Sequence, residues 1–68
     1  MKNIKLIRVI NDYTQLKVQM ETGIPQSMIS KYETGENDIP TSILIELARL
    51  YNTSIDYLLG ETDNPNRY

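Results

Sequence analysis

An all-α fold of five short helices is what this sequence predicts, and three observations carry it. Apolar residues recur at three- and four-residue spacing through most of the chain. The breakers Asn11-Asp12, Gly23, Gly35, Asn52 and Gly60 cut its 68 residues into pieces of helix length. No stretch sustains period-two alternation between hairpin turns, which argues against a β fold.

The first helix is expected from about Asn3 to Asn11. Ile4, Ile7 and Ile10 would form its buried stripe, with Lys5 and Arg8 off it. The second begins at Thr14, whose hydroxyl can accept from an orphan backbone N–H, and ends at Gly23. Its apolar residues, Leu16, Val18 and Met20, fit helix or strand alike; caps and composition decide for helix. The third runs from Pro25 or Gln26 to about Thr34, since proline suits a first helical turn. Ile29 and Tyr32 make its apolar face, and Gly35 stops it. After the polar loop Glu36-Asn37-Asp38 and Ile39-Pro40, the fourth helix spans about Thr41 to Tyr51. Its stripe is Leu44, Leu47, Ala48 and Tyr51, the pattern of a core-facing helix. A turn at Asn52-Thr53-Ser54 leads to the last helix, Ser54 to Leu59, closed by Gly60, with Ile55 and Leu58 expected in the core. Residues 1–60 thus read as one domain, and residues 61–68, polar and carrying Pro65, as a loose tail.

Composition narrows the function. The chain has neither cysteine nor histidine. Disulfides are excluded, the usual transition-metal sites are disfavoured, and the commonest general base and activated nucleophile are missing. A non-enzymatic protein without cofactor is expected, and 68 residues leave no room for a small-molecule sensor domain. Lys5 and Arg8 interrupt the apolar N-terminal stretch, so no signal-peptide core or membrane span is predicted and a cytoplasmic location follows. The net charge of −2 is unevenly distributed. Residues 1–31 carry five basic side chains against two acidic, a net of +3, whereas residues 32–68 carry two against seven, a net of −5. A basic first half can meet phosphates while the acidic half faces away; chance clustering of solvated charges is the alternative.

Two short helices around a glycine turn, within an all-helical domain, form a helix-turn-helix arrangement. Its second helix can enter the major groove and present its first residues to base edges, while the first helix crosses the backbone. Gln26 can pair with adenine N6 and N7, Ser27 can bond several bases, Lys31 can reach guanine or a phosphate, and Met28 can pack on a thymine methyl. Gln15, at the start of the second helix, can offer its amide to a phosphate where the positive helix end favours an anion. On composition alone, Gln26, Ser27 and Lys31 read more readily as ordinary surface residues than as base contacts.

The ordered set Thr14-Gln15, Gly23, Gln26-Ser27, Ile29-Ser30 and Tyr32-Glu33, then Gly35, closely resembles the lambda-repressor/Cro-like (XRE) helix-turn-helix family. The resemblance continues through Leu44-Ile45-Glu46-Leu47-Ala48 and Ser54 to Gly60, covering roughly residues 4–63. It implies a compact lambda-repressor-like DNA-binding domain with the motif at helices two and three. It further implies a transcriptional regulator with double-stranded DNA as partner, probing bases with Gln26, Ser27, Met28 and Lys31. Thr14, Gln15, Arg8 and Thr34 fall among the backbone-contacting positions, and Gln15 also where a family glutamine braces the first residue of the recognition helix. Arg8 and Glu33 occupy the positions of a family ion pair, expected to be partly buried here.

Three residues depart from the family pattern. Gln19 stands where alanine is usual, Thr22 where a buried leucine is common, and Pro25 replaces a serine or threonine cap. Looser packing of the second helix is the expectation. The loop Glu36-Asn37-Asp38 lacks basic residues, so few phosphate contacts and modest non-specific affinity are expected. One such unit reads only a few base pairs, so the resemblance implies a homodimer on a palindromic operator, formed on DNA, and a repressor. Tyr57 and Leu59 are the expected interface residues. An antitoxin or another protein-interaction module on the same fold is the alternative.

Overall fold

The computed structural model describes residues 3–66; the outermost residues of the two expected segments, 1–60 and 61–68, lie outside the described residues. The described chain is all-helical: α1 (Ile4–Ile10), α2 (Gln15–Thr22), α3 (Gln26–Thr34), α4 (Thr41–Leu50) and α5 (Ile55–Leu59). The ends fall where local chemistry puts them. Thr14 Oγ1 accepts from the Lys17 N–H at 3.0 Å, and Ser54 Oγ accepts from the Tyr57 N–H at 3.0 Å, each satisfying a donor left over by its helix. After α1 and α4 the chain turns through Asp12 and Asn52, both in the left-handed region that short polar side chains tolerate.

A single core gathers Ile4 and Ile7 from α1, Val18 from α2, Ile29 and Tyr32 from α3, and Tyr57 and Leu58 from α5 around the full α4 stripe of Leu44, Leu47, Ala48 and Tyr51. Ile24 and Ile39 fill it from the connections. The expected α1 stripe holds only in part, since Ile10 is 57% exposed. At about 100° per residue, steps of three drift backwards by about 60° each, so Ile4, Ile7 and Ile10 walk round the helix rather than line one edge. Arg8 takes the edge that Ile10 leaves. On α2 only Val18 is buried, while Leu16 and Met20 share the opposite, exposed side. In α5 the buried arc runs through Tyr57 and Leu58, and Ile55 is half-buried.

Tyr57 is thus not an interface residue: its ring lies in the core, and its backbone carbonyl accepts from buried Asn3 Nδ2 at 2.6 Å, tying the start of α1 to α5. Leu59, by contrast, is on the surface. The polar segment after Gly60 is exposed but not loose as far as Pro65. Buried Thr53 donates its hydroxyl to the Pro65 carbonyl at 2.6 Å, and the Glu61 N–H reaches back to Asp56.

Candidate nucleic-acid interface

α2 and α3 are joined by Gly23, Ile24 and Pro25. Gly23 has φ of +78°, yet nothing lies within 4 Å of where a Cβ would stand. The turn therefore needs glycine for its backbone angle and not for space. Ile24 drops into the core and anchors the turn.

The start of α3 has a deficit. Pro25 occupies the cap position and has no side-chain acceptor for the free N–H groups of the first turn. Gln19 supplies one from the neighbouring helix: its Oε1 accepts from the Gln26 N–H at 2.7 Å. Thr22 acts at the same turn, donating to the Val18 carbonyl at 2.7 Å and accepting from the Ile24 N–H at 3.1 Å. The three departures from the family pattern are thus tied into the α2–α3 turn. Val18 beneath them is fully buried, the single residue of α2 that is. Sequence reasoning had no role for Gln19, because its bond depends on where α2 lies against α3.

At the other end of α3, Glu33 is the hub of a polar knot. Its Oε2 lies 2.6 Å from Arg8 Nε, and its Oε1 accepts from Arg8 Nη2 and from Gln15 Nε2, each at 3.1 Å. Arg8 Nη1 donates to the Tyr13 carbonyl at 2.7 Å. The side chains of Arg8 and Glu33 are only 11% and 3% exposed. The hydrogen bond to Glu33 holds the Arg8 guanidinium above its ordinary pKa, against the opposing effect of burial. The knot joins α1, α2 and α3 in the partly buried arrangement expected of the pair.

The knot corrects two expectations. Arg8 engages all three guanidinium nitrogens inside the protein, so it is not presented to a DNA backbone. Gln15 turns its amide nitrogen to Glu33, and Gln19 is the residue that braces the first position of α3.

The outer face of α3 presents Gln26, Ser27, Lys31 and Thr34, all exposed. Ser27, Lys31 and Thr34 fall at spacings of four and three, which place them on one side of the helix. Ser30, half-buried, lies on the same arc and is a polar group the sequence reading passed over. Met28 leaves this set: it is half-buried against the core, with its sulfur 4.0 Å from Asn37 Nδ2. Thr34 donates to the Lys31 carbonyl at 3.2 Å, while Thr14 is exposed at the head of α2. Lys17 Nζ lies 5.7 Å from the Tyr13 ring centroid, a cation–π contact that holds it beside that end of α2.

A braced helix with an amide, hydroxyls and an ammonium on its open side, held across a second helix by a glycine turn, defines a helix-turn-helix domain of the lambda-repressor type. The family profile described as helix-turn-helix matches residues 4–58, and the chain belongs to the XRE-type helix-turn-helix family of transcriptional regulators. It is 34% identical over 65 residues to the uncharacterized HTH-type transcriptional regulator YobD of Bacillus subtilis, covering 96% of this chain and 58% of that protein. It is 37% identical over 62 residues to the HTH-type transcriptional regulator ImmR of the same organism, covering 91% of this chain and 49% of ImmR. It is also 33% identical over 60 residues to the antitoxin PezA of Streptococcus pneumoniae, covering 88% of this chain and 38% of PezA. The chain spans about half the length of the curated relatives it matches. No solved structure gives a significant match.

Proposed function

We propose that this chain binds double-stranded DNA sequence-specifically and represses transcription by occupying an operator. The exposed edge of α3, firmly held at both ends, is the observation that carries this reading. Gln26 and Ser27 read base edges in the major groove, with Gln26 suited to adenine, and Lys31 reaches guanine or a phosphate. Thr14, Thr34 and the remaining amide N–H of Gln15 meet phosphates, where the N-terminus of α2 adds partial positive charge. Arg8 acts indirectly, through Glu33. The protein works without cofactor or catalysis in the cytoplasm, as a homodimer assembled on a palindromic site, with Leu59 at the contact between subunits. No helix among the described residues is long and apolar enough to cross a membrane.

The similarity to PezA, an antitoxin, favours a protein-interaction module as the second reading. Titration against random and in-vitro-selected duplexes at two salt concentrations separates the two. A regulator binds its selected duplex with a preference of about 4 kcal/mol or more, and both affinities fall with salt. Equal affinity for the two duplexes at low salt overturns the DNA-reading proposal.

A further inference from the structure

Gln19 belongs to no DNA-contacting set, yet it is the one side chain of α2 bonded to the first residue of α3. We infer that Gln19 is a positioning residue for base reading: its side-chain carbonyl fixes the Gln26 backbone, and so aims the Gln26 side chain, at a helix start where Pro25 offers no side-chain acceptor of its own. The inference rests on the DNA reading proposed above and adds to it a determinant of specificity outside the recognition helix.

The geometry leaves few other ways to hold this end of α3. Pro25 has no hydroxyl or carboxamide and cannot itself cap the helix. The Met28 and Ile29 N–H groups bond the Pro25 carbonyl, at 2.9 and 3.0 Å, and the Gln26 N–H, which no carbonyl of its own helix can reach, bonds Gln19. The contact spans seven residues and two helices, so it fixes the first turn of α3 relative to α2 as well as completing the helix. Gln19 is half-buried, which restricts its side chain, and Gln26 next to its oxygen is exposed. A side chain that bonds a base at two points tolerates little rotation of its backbone, so loosening this N–H loosens the readout at one base pair. Lys31 and Thr34, about one and a half and two turns further on, lie beside the Glu33 knot and make no hydrogen bond with Gln19.

The test uses the full chain and a duplex enriched from a random pool by the wild-type protein, with every single-base-pair variant of that duplex and a scrambled one. Gln19→Ala should lower discrimination by about fivefold or more at the base pair where Gln26→Ala acts, and leave it unchanged elsewhere. Affinity for the scrambled duplex and its salt dependence should stay at wild-type values, because no phosphate contact is lost. In the Gln26→Ala background, Gln19→Ala should have no further effect on discrimination. Circular dichroism melting should confirm that each variant is folded. An equal loss at every base pair, no loss at all, or additive effects of Gln19→Ala and Gln26→Ala would each overturn the positioning role. If the wild-type chain enriches no duplex, the DNA reading itself fails and takes this inference with it.

Discussion

Arg8 and Glu33, 25 residues apart, meet through two hydrogen bonds of 2.6 and 3.1 Å, and Gln15 shares the same carboxylate. Because the carboxylate is almost completely enclosed, removing its partner leaves a buried charge with only an amide donor. Arg8→Ala should therefore cost about 3 kcal/mol or more, a large part of the stability of a domain this small. Glu33→Gln should also destabilise, since it leaves the Arg8 guanidinium, only 11% exposed, without its counter-charge and with one acceptor oxygen in place of two. Urea unfolding checks both. A loss below about 0.5 kcal/mol for Arg8→Ala would place the pair with exposed ion pairs and contradict the burial.

The same reasoning applies to the C-terminal segment, where one hydroxyl does the tying. Thr53 is 1% exposed and gives its proton to the Pro65 carbonyl. Thr53→Val keeps the shape and loses the bond, and should cost about 1 kcal/mol. Hydrogen exchange should rise at the backbone amides of residues 61–66 while those of α4 keep their protection. Unchanged exchange in that segment would show that other contacts hold it.

Alkaline stability should depend on Tyr51. Burial, with the nearby charge of Glu33 as a lesser cause, pushes its phenol well above the usual tyrosine range, while Arg8 pulls the other way. A raised folded-state value means that the native state keeps a proton that the unfolded chain gives up. The contribution is complete below about pH 10, the ordinary tyrosine value, and shrinks as pH rises past it. Tyr51→Phe removes this dependence. Its unfolding free energy should decline less between pH 9 and 11 than that of the wild type, and parallel declines would count against the assignment.

These residues also separate what the chain displays in one dimension from what it does not. The α4 stripe was legible because four apolar side chains at helical spacing admit one face, and all four are buried. Thr14, Gly23 and Ser54 were legible because a cap is a local bond or a local backbone angle. Ile10 was misleading because a three-residue repeat alone does not hold one edge of a helix. Tyr57 and Leu59 lie two residues apart in a helix of five, and only the packing of its neighbours decides which is enclosed. The Glu33 knot was anticipated through family resemblance; its capture of the Gln15 amide was not, because that bond depends on where α2 lies against α3. Gln19 was least visible of all. Its role exists only once the turn has brought the two helices within reach.

The outer face of α3 should divide by the kind of contact each residue makes. Gln26 presents an amide that can donate and accept at one base, so Gln26→Ala should weaken binding to the selected duplex by about 1–3 kcal/mol and relax discrimination at a single base pair. Lys31 carries a flexible charge that can serve a base or a phosphate, and the two uses leave different signatures. If Lys31 meets a phosphate, Lys31→Ala weakens selected and scrambled duplexes alike and lowers the slope of log affinity against log salt by about one. If it meets guanine, the loss concentrates on the selected duplex at one position. Lys31 stands on the same side of α3 as Ser27, one turn deeper into the helix, and the acidic loop beyond Gly35 offers no cation of its own. The phosphate signature is therefore the expected one, because this helix would otherwise leave the nearby backbone with no cationic partner. Fluorescence anisotropy over a salt series, with both duplexes, gives the slope and the specificity ratio together; an unchanged slope would move Lys31 to the base-reading set beside Gln26.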